Sequence, residues 1–295
     1  MSGRDALRRF MFEEFPVRGE VVRLEESWRA VLEREAYPPA VRDLLGQAMA
    51  ACALLASTLK FDGLLTLQIQ GEGDLHLLVV QCGSDLVVRG LAKWKGEDPR
   101  GSLAELTGGG RLAITIERRK DRDRYQGIVL ADTDTLADCL ESYFTQSEQL
   151  PTRIWLAADG NMAAGLLLQQ MPGLPGALEA DADGWRRAGI LAGTVSSEEL
   201  LALDTRSLLR RLFHEEDLRL AEPRAVAFRC SCTRQRVETA LRLLGRAELD
   251  ELLADEGRIE VRCEFCNMAY EVDAVDVEQL LAAEGLSPPA SDQVH

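Results

Sequence analysis

A chain of 295 residues, 46% apolar and 28% charged, has the composition of a soluble globular protein with room for one good core and a smaller companion. A formal net charge of −15 works against a nucleic-acid partner, whose affinity comes largely from neutralising phosphates. No charged start, apolar run and cleavage site opens the chain, and seven cysteines is an odd count, so a cytoplasmic protein is expected rather than a secreted, disulfide-stapled one.

Met1 to Pro16 reads as a mixed-charge segment. Val21 to Leu24 and Trp28 to Leu32 each fit a short strand or a short helix. Pro38-Pro39 then opens a helix that carries the longest apolar run, Leu44 to Leu59, and Asp62-Gly63 stops it. The run is interrupted by polar residues and falls short of the roughly 20 apolar residues of a membrane span, so it predicts a buried helix and no membrane partner.

Leu64 to Gln70 alternates apolar and polar residues, and Gly71-Glu72-Gly73-Asp74 joins it to Leu75 to Gln81, which predicts a hairpin continued by Asp85 to Gly90. Arg111 to Glu117 and Tyr125 to Leu130 are a second pair of strands across the charged connection 118–124. Thr135 begins a capping-box pattern followed by apolar residues at helical spacing, and Thr152 to Leu156 and Met162 to Leu168 are two more strands. These elements predict an α+β fold with a mixed, largely antiparallel sheet over residues 1–176, closed by the Pro/Gly cluster 172–176.

Residues 177–222 change character and are expected to form a helical linker. Ser196-Ser197-Glu198-Glu199 opens a helix in which Leu200, Leu201, Leu203, Leu208, Leu209, Leu212 and Phe213 make an apolar stripe. Such a stripe either stays packed on the main domain or is covered in one state and exposed in another.

Residues 223–295 form a small C-terminal module with two strands leading into two cysteine pairs, Cys230-Ser231-Cys232 and Cys263-Glu264-Phe265-Cys266, and with helices over 234–244, 247–254 and 275–283. Four soft ligands delivered as local pairs on two segments suit one tetrahedral zinc ion, and a module this small needs the ion to fold. The Cys-x-Cys pair is a poor static strut, because a disulfide across so short a loop is strained and reducible. Each pair can close on itself when oxidised, which would cost the site its thiolate ligands.

Alternatives remain at this level: a permanent structural zinc knob, or a static zinc-ribbon interaction or nucleic-acid module using Arg229, Arg234, Arg236 and Arg242. The second is disfavoured by the acidic balance, since 223–295 carries eight arginines and no lysine against fourteen Asp and Glu. A thiol oxidoreductase lacks the βαβ context for its dithiol. Cys52, Cys82 and Cys139 are expected to be ordinary core residues. His76, His214 and His295 form no nucleophile–base set, and no phosphate-binding glycine loop stands out, so no enzyme is expected.

From near the N-terminus to about Val277 the chain resembles the heat-shock protein 33 family. The likeness rests on Cys230-x-Cys232 and Cys263-Glu264-Phe265-Cys266-Asn267 with Tyr270, and on Lys60-Phe61-Asp62-Gly63, Gln68-Ile69-Gln70-Gly71, Tyr125-Gln126-Gly127 and 143–149. The resemblance implies a redox-regulated, ATP-independent holdase chaperone of the bacterial cytoplasm. It implies one zinc per chain in the reduced state on Cys230, Cys232, Cys263 and Cys266. On oxidation it implies zinc release, disulfides of Cys230 with Cys232 and of Cys263 with Cys266, linker unfolding, a homodimer, and binding of unfolded or partly folded client proteins.

Overall fold

The computed structural model describes residues 5–120, 124–172 and 183–282, in two compact units, one running to Arg229 and the other starting at Cys230. Beyond Pro172, the Pro/Gly cluster expected to close the main domain lies outside the described residues.

The first unit opens on the antiparallel strands β1 (Ala6–Phe12) and β2 (Val17–Leu24). The segment read as merely mixed-charge is therefore largely a strand. Arg8 and Arg9 break its alternation in sequence, while Leu7, Phe10 and Phe12 are buried. Helix α1 (Glu26–Leu32) is capped from outside: the Asp5 carboxylate accepts from the N–H groups of Glu25, Glu26 and Ser27 at 2.6, 2.8 and 2.6 Å. This cap settles the strand-or-helix ambiguity in favour of a strand to Leu24 and a helix after it.

Helix α2 (Pro39–Thr58) starts on its proline, as expected, and packs against strands of two sheets. One sheet is a meander of β3 (Gly63–Gln70), β4 (Leu75–Gly83) and β5 (Val87–Trp94), joined after α3 (Leu103–Thr107) by β6 (Gly110–Arg118) and β7 (Arg124–Ala131), in the order β5-β4-β3-β6-β7. Helix α4 (Leu136–Tyr143), whose Thr135 hydroxyl accepts from the Asp138 N–H, leads to β8 (Thr152–Ala158) and β9 (Ala163–Gln170), which extend the first sheet as β1-β2-β9-β8. Leu45, Met49 and Leu55 of α2, Val22 and Leu167 of one sheet, and Leu65, Leu67 and Val80 of the other form one buried core.

Strand β9 is apolar on both faces. Ala163 and Leu167 face α2, and Ala164, Leu166 and Leu168 belong to a second core on the other side. That outer face is covered by three short helices, α5 (Gly184–Ala192), α6 (Ser197–Ala202) and α7 (Thr205–Phe213). Ser196 opens α6 with a full capping box, but the helix stops at Ala202 because Leu203 and Asp204 are extended, and Asp204 caps α7 by accepting from the N–H groups of Arg206 and Ser207 at 2.9 and 3.2 Å. One apolar stripe in sequence is thus two helices, and its Leu200, Leu208, Leu209, Leu212 and Phe213 are buried against the sheet. Phe213 meets Phe12 edge-on with ring centroids 5.1 Å apart, and Phe12 stacks on Phe15 at 4.5 Å. Arg23 of β2 reaches across to the end of α6, donating to the carbonyls of Leu200 at 3.0 Å, Leu201 at 2.8 Å, and Leu203.

The chain then returns to both sheets. β10 (Leu218–Leu220) and β11 (Arg224–Ala225) pair with β1, and β12 (Ala227–Phe228) pairs parallel to β5. Residues 224–228, which the sequence assigned to the cysteine module, therefore have their backbone partners and the buried Val226 in the first unit. The second unit contains α8 (Arg234–Arg242), α9 (Arg246–Glu256), the hairpin β13 (Arg258–Arg262) and β14 (Ala269–Asp273), and α10 (Ala274–Ala282). Gly245, at φ 80°, separates α8 from α9 as expected. Its buried core is Val237, Leu241, Leu249, Ile259, Val272, Val277 and Leu280.

Candidate metal centre

Local chain geometry aims each cysteine pair. Cys263 to Cys266 make the turn of the β13–β14 hairpin: the Asn267 N–H donates to Cys263 O at 2.7 Å, the Cys263 N–H donates to Met268 O at 3.0 Å, and Asn267 takes the left-handed conformation at φ 58° that folds the turn back. Cys230-Ser231-Cys232 runs into Thr233, the N-cap of α8, whose hydroxyl accepts from the Arg236 N–H at 3.3 Å. The Arg236 guanidinium donates to Ser231 O at 3.1 Å and Ser231 Oγ at 2.6 Å, which holds the residue between the two cysteines. Arg234 ties the start of α8 to the rest of the unit through Asp276 at 2.6 Å and Glu271 O at 3.2 Å.

These two segments bring all four sulfurs within 4.8 Å of one another. Cys230 Sγ and Cys263 Sγ are 3.6 Å apart, and Cys232 Sγ and Cys266 Sγ 3.3 Å. A tetrahedral ion with Zn–S bonds of about 2.3 Å places its ligand sulfurs about 3.8 Å apart, so the cluster has the size that zinc requires. Both separations exceed the roughly 2.05 Å of a disulfide, so the four cysteines are not disulfide-bonded. The four groups that could hold an ion are all sulfur, a set that favours a soft ion.

Electrostatics point the same way. Burial pushes the Cys263 and Cys266 thiols up; the other three sulfurs add to this at Cys266, while at Cys263 the Cys230 sulfur adds to it and the Cys266 sulfur opposes it. The Tyr270 hydroxyl donates to Cys232 Sγ at 3.2 Å, and that bond pushes the phenol up to about 12. Four thiols crowded together resist ionising without a positive charge among them, and a divalent cation reverses that preference. Tyr270 thus holds one sulfur of the cluster from outside the four cysteines, a contact that no spacing in the sequence reveals.

Each of the four cysteines is partly exposed, whereas Cys52, Cys82 and Cys139 are buried, the packing role expected for them. Of the arginines considered as a basic stripe, Arg234 is paired with Glu238 and Asp276, and Arg236 with Ser231. His76 lies on β4 and His214 ends α7 beside Glu215, outside the cysteine cluster.

A family model described as Hsp33 protein matches residues 5–273. The chain is 49% identical to a 33 kDa chaperonin of Nitrosococcus oceani over 99% of both chains, and 48% identical to one of Azotobacter vinelandii, again over 99% of both. A crystal structure of a 33 kDa chaperonin from Thermotoga maritima is similar in fold, with a TM-score of 0.79 and 24% identity over 96% of this chain and 99% of that one.

Proposed function

The chain belongs to the Hsp33 family and is a chaperone, and from that premise we propose how its cysteine cluster governs the binding of unfolding proteins. The carrying observation is the convergence of four partly exposed thiols in a unit with a small core.

In the reduced protein Cys230, Cys232, Cys263 and Cys266 hold one zinc ion as thiolates. Bound zinc supplies a cross-link between the two cysteine segments, with an apparent free energy of about 10 to 16 kcal/mol in small finger units. That matches or exceeds the roughly 5 to 15 kcal/mol by which a typical domain is stable, so the fold of the second unit depends on keeping four thiolates. Peroxide takes two electrons from a pair of thiolates, forming one S–S bond, and its O–O bond breaks to give two waters with two protons from solvent; a second peroxide closes the second pair. We assign the bonds as Cys230 with Cys232 and Cys263 with Cys266, the pairing that the family resemblance implies. Sulfurs in disulfides no longer serve as thiolate ligands, so zinc is released and the second unit loses the cross-link that maintained it.

The consequence for binding rests on the helices of residues 183–213. They and the outer face of the β1-β2-β9-β8 sheet bury each other's apolar residues. We assign residues 177–222 as the linker that lets go on activation. Its release would uncover Phe10, Phe12, Val21, Leu166 and Leu168 together with the helices' own leucines, a surface suited to the apolar segments of unfolded or partly folded clients. Binding needs neither nucleotide nor turnover. The active form is a homodimer in the cytoplasm, where reduced thiols are the resting state.

The test follows zinc release with a metal-sensitive dye and client aggregation by light scattering, in reduced and peroxide-treated samples. One zinc per chain should leave as protection appears, and peptide mapping without reductant should recover both local disulfides. Protection that is the same before and after oxidation would sink the switch.

A further inference from the structure

A cavity of about 520 Å³ lies along β8, lined by residues of α2 and α4 and by the covering helices α5 and α6. A space of that size takes a small ligand. Gly189 of α5 lines it, and a Cβ there would meet nothing within 4 Å. Neither a left-handed backbone nor a close neighbour calls for glycine at 189, and glycine weakens a helix interior, so the missing side chain serves to keep the space open. The charge of the lining is uneven. Asp138 and Glu141, three residues apart on one face of α4, present two carboxylates against the single guanidinium of Arg153, which is 57% exposed and 3.5 Å from Glu141. Glu141 is half-buried and its Oε1 accepts from the Ile154 N–H at 2.8 Å; burial pushes its pKa up, against that N–H and Arg153, which hold it down. The same bond shows which way β8 turns its backbone. Among the described residues β8 pairs only with β9, and by strand alternation the Ile154 and Leu156 carbonyls share the open edge with the Ile154 N–H. Trp155 of β8 and Leu200 of α6 add aromatic and aliphatic surface.

We propose that this cavity binds a small organic cation, an aliphatic amine or guanidine, whose presence ties the covering helices to the body of the first unit. The cationic head is held by the Asp138 and Glu141 carboxylates with N–H donors left for the β8 carbonyls, and the methylene chain lies along Trp155 and Leu200. An anion would meet two carboxylates and a row of carbonyl oxygens, with one guanidinium already facing Glu141. The binding site stands on the cavity alone; its effect on opening rests on the proposed role of α5–α7 as the segment that lets go. Because the lining is shared between α4 and β8 on the body and α5 and α6 on the cover, the site is whole only while those helices are in place. The cation therefore favours the closed form by the factor 1 + [L]/Kd.

The probe is agmatine, a four-carbon chain with an amine at one end and a guanidinium at the other, titrated calorimetrically into the full, reduced, zinc-loaded chain. Glutarate serves as its anionic counterpart. Agmatine should bind saturably at one site per chain and glutarate should not. Glu141→Gln keeps an oxygen for the Ile154 N–H but removes the charge, and should weaken agmatine binding at least roughly tenfold. Gly189→Leu fills the cavity from α5 without touching a charged group and should abolish binding while far-UV circular dichroism and zinc content stay as in wild type, so the site remains testable if Glu141→Gln misfolds. At agmatine about a hundred times its Kd, amide exchange across residues 184–202 should slow about a hundredfold in wild type and stay unchanged in Gly189→Leu. No saturable agmatine binding, equal binding of glutarate, or wild-type affinity in either variant would overturn the site. Agmatine that binds but leaves exchange in α5 and α6 as it was would overturn the tie to the cover. Failure of the switch reads differently, as peroxide-treated protein that keeps its zinc and gains no protection although agmatine still binds.

Discussion

The contact between Arg23 and α6 should set how readily the covering helices open. The six-residue helix α6 ends where Leu203 turns to extended backbone, so its last carbonyls have no following turn to bond them. The Arg23 guanidinium supplies the missing donors to Leu200, Leu201 and Leu203, and burial lowers its pKa without removing its charge at neutral pH. Hydrogen bonds from a charged donor contribute about 1.5 to 3 kcal/mol each when sheltered, and half-burial with access for replacement water reduces three of them to about 2 to 4 kcal/mol in all. Arg23→Ala should therefore move the closed-to-open equilibrium of α5–α7 by roughly thirty- to several hundred-fold. The assay is amide exchange across residues 184–213, paired with client aggregation, on reduced, zinc-loaded protein. Faster exchange there with partial protection of clients before any oxidation is expected. Unchanged exchange in α6 and α7 would refute the reasoning, because the carbonyls would then be satisfied without Arg23.

Chelating the metal from reduced protein, or replacing one ligand in Cys266→Ser, should erase amide protection in β13, β14 and α8 while leaving β3 and β4 protected, since the units have separate cores. Glu20 is fully buried, with Oε1 2.7 Å from Arg9 Nε and its other oxygen without a hydrogen-bond partner among the described residues, and burial pushes its pKa above the ordinary 4.5. The native state then holds that proton more tightly than the unfolded chain, so its stability contribution is present below pH 4.5 and is lost as pH rises through the raised native pKa. Relative to Glu20→Gln, wild type should lose stability across that window in urea titrations at a series of pH values. Cys52, Cys82 and Cys139 are buried in the core of the first unit while the four clustered cysteines are partly exposed, so iodoacetamide should label those four in metal-free protein and spare these three until denaturation, as read by mass spectrometry.

Much of the architecture was legible because its signals are local. The β3–β4 hairpin shows as alternation on either side of a glycine turn, α2 opens on its proline, and Gly245 divides two short helices. Strand β1 was hidden because the two arginines inside it break the alternation, one of them spanning to Glu20 and Ser57 across the fold. The single helix expected after Ser196 became two because Asp204 can cap a new helix as easily as it can sit inside one, and only the packing of Leu200 and Leu208 on the same sheet decides between them. The four site cysteines were legible from spacing. Tyr270 and Arg236 were not, since a hydroxyl near a sulfur or a guanidinium on a loop carbonyl leaves no periodic trace.

By itself the sequence determined which four cysteines come as two local pairs, the α+β character with largely antiparallel strands, and the existence of an apolar helical stripe. These follow from spacing and period, properties of a few consecutive residues. Tertiary structure alone decided that the two cysteine segments bring their sulfurs within 4.8 Å, that residues 224–228 belong to the sheets of the first unit, and that the stripe is covered by the outer face of β1-β2-β9-β8. A side chain's period states which way it faces but never what lies opposite, and Arg23 meets its partners 177 to 180 residues away.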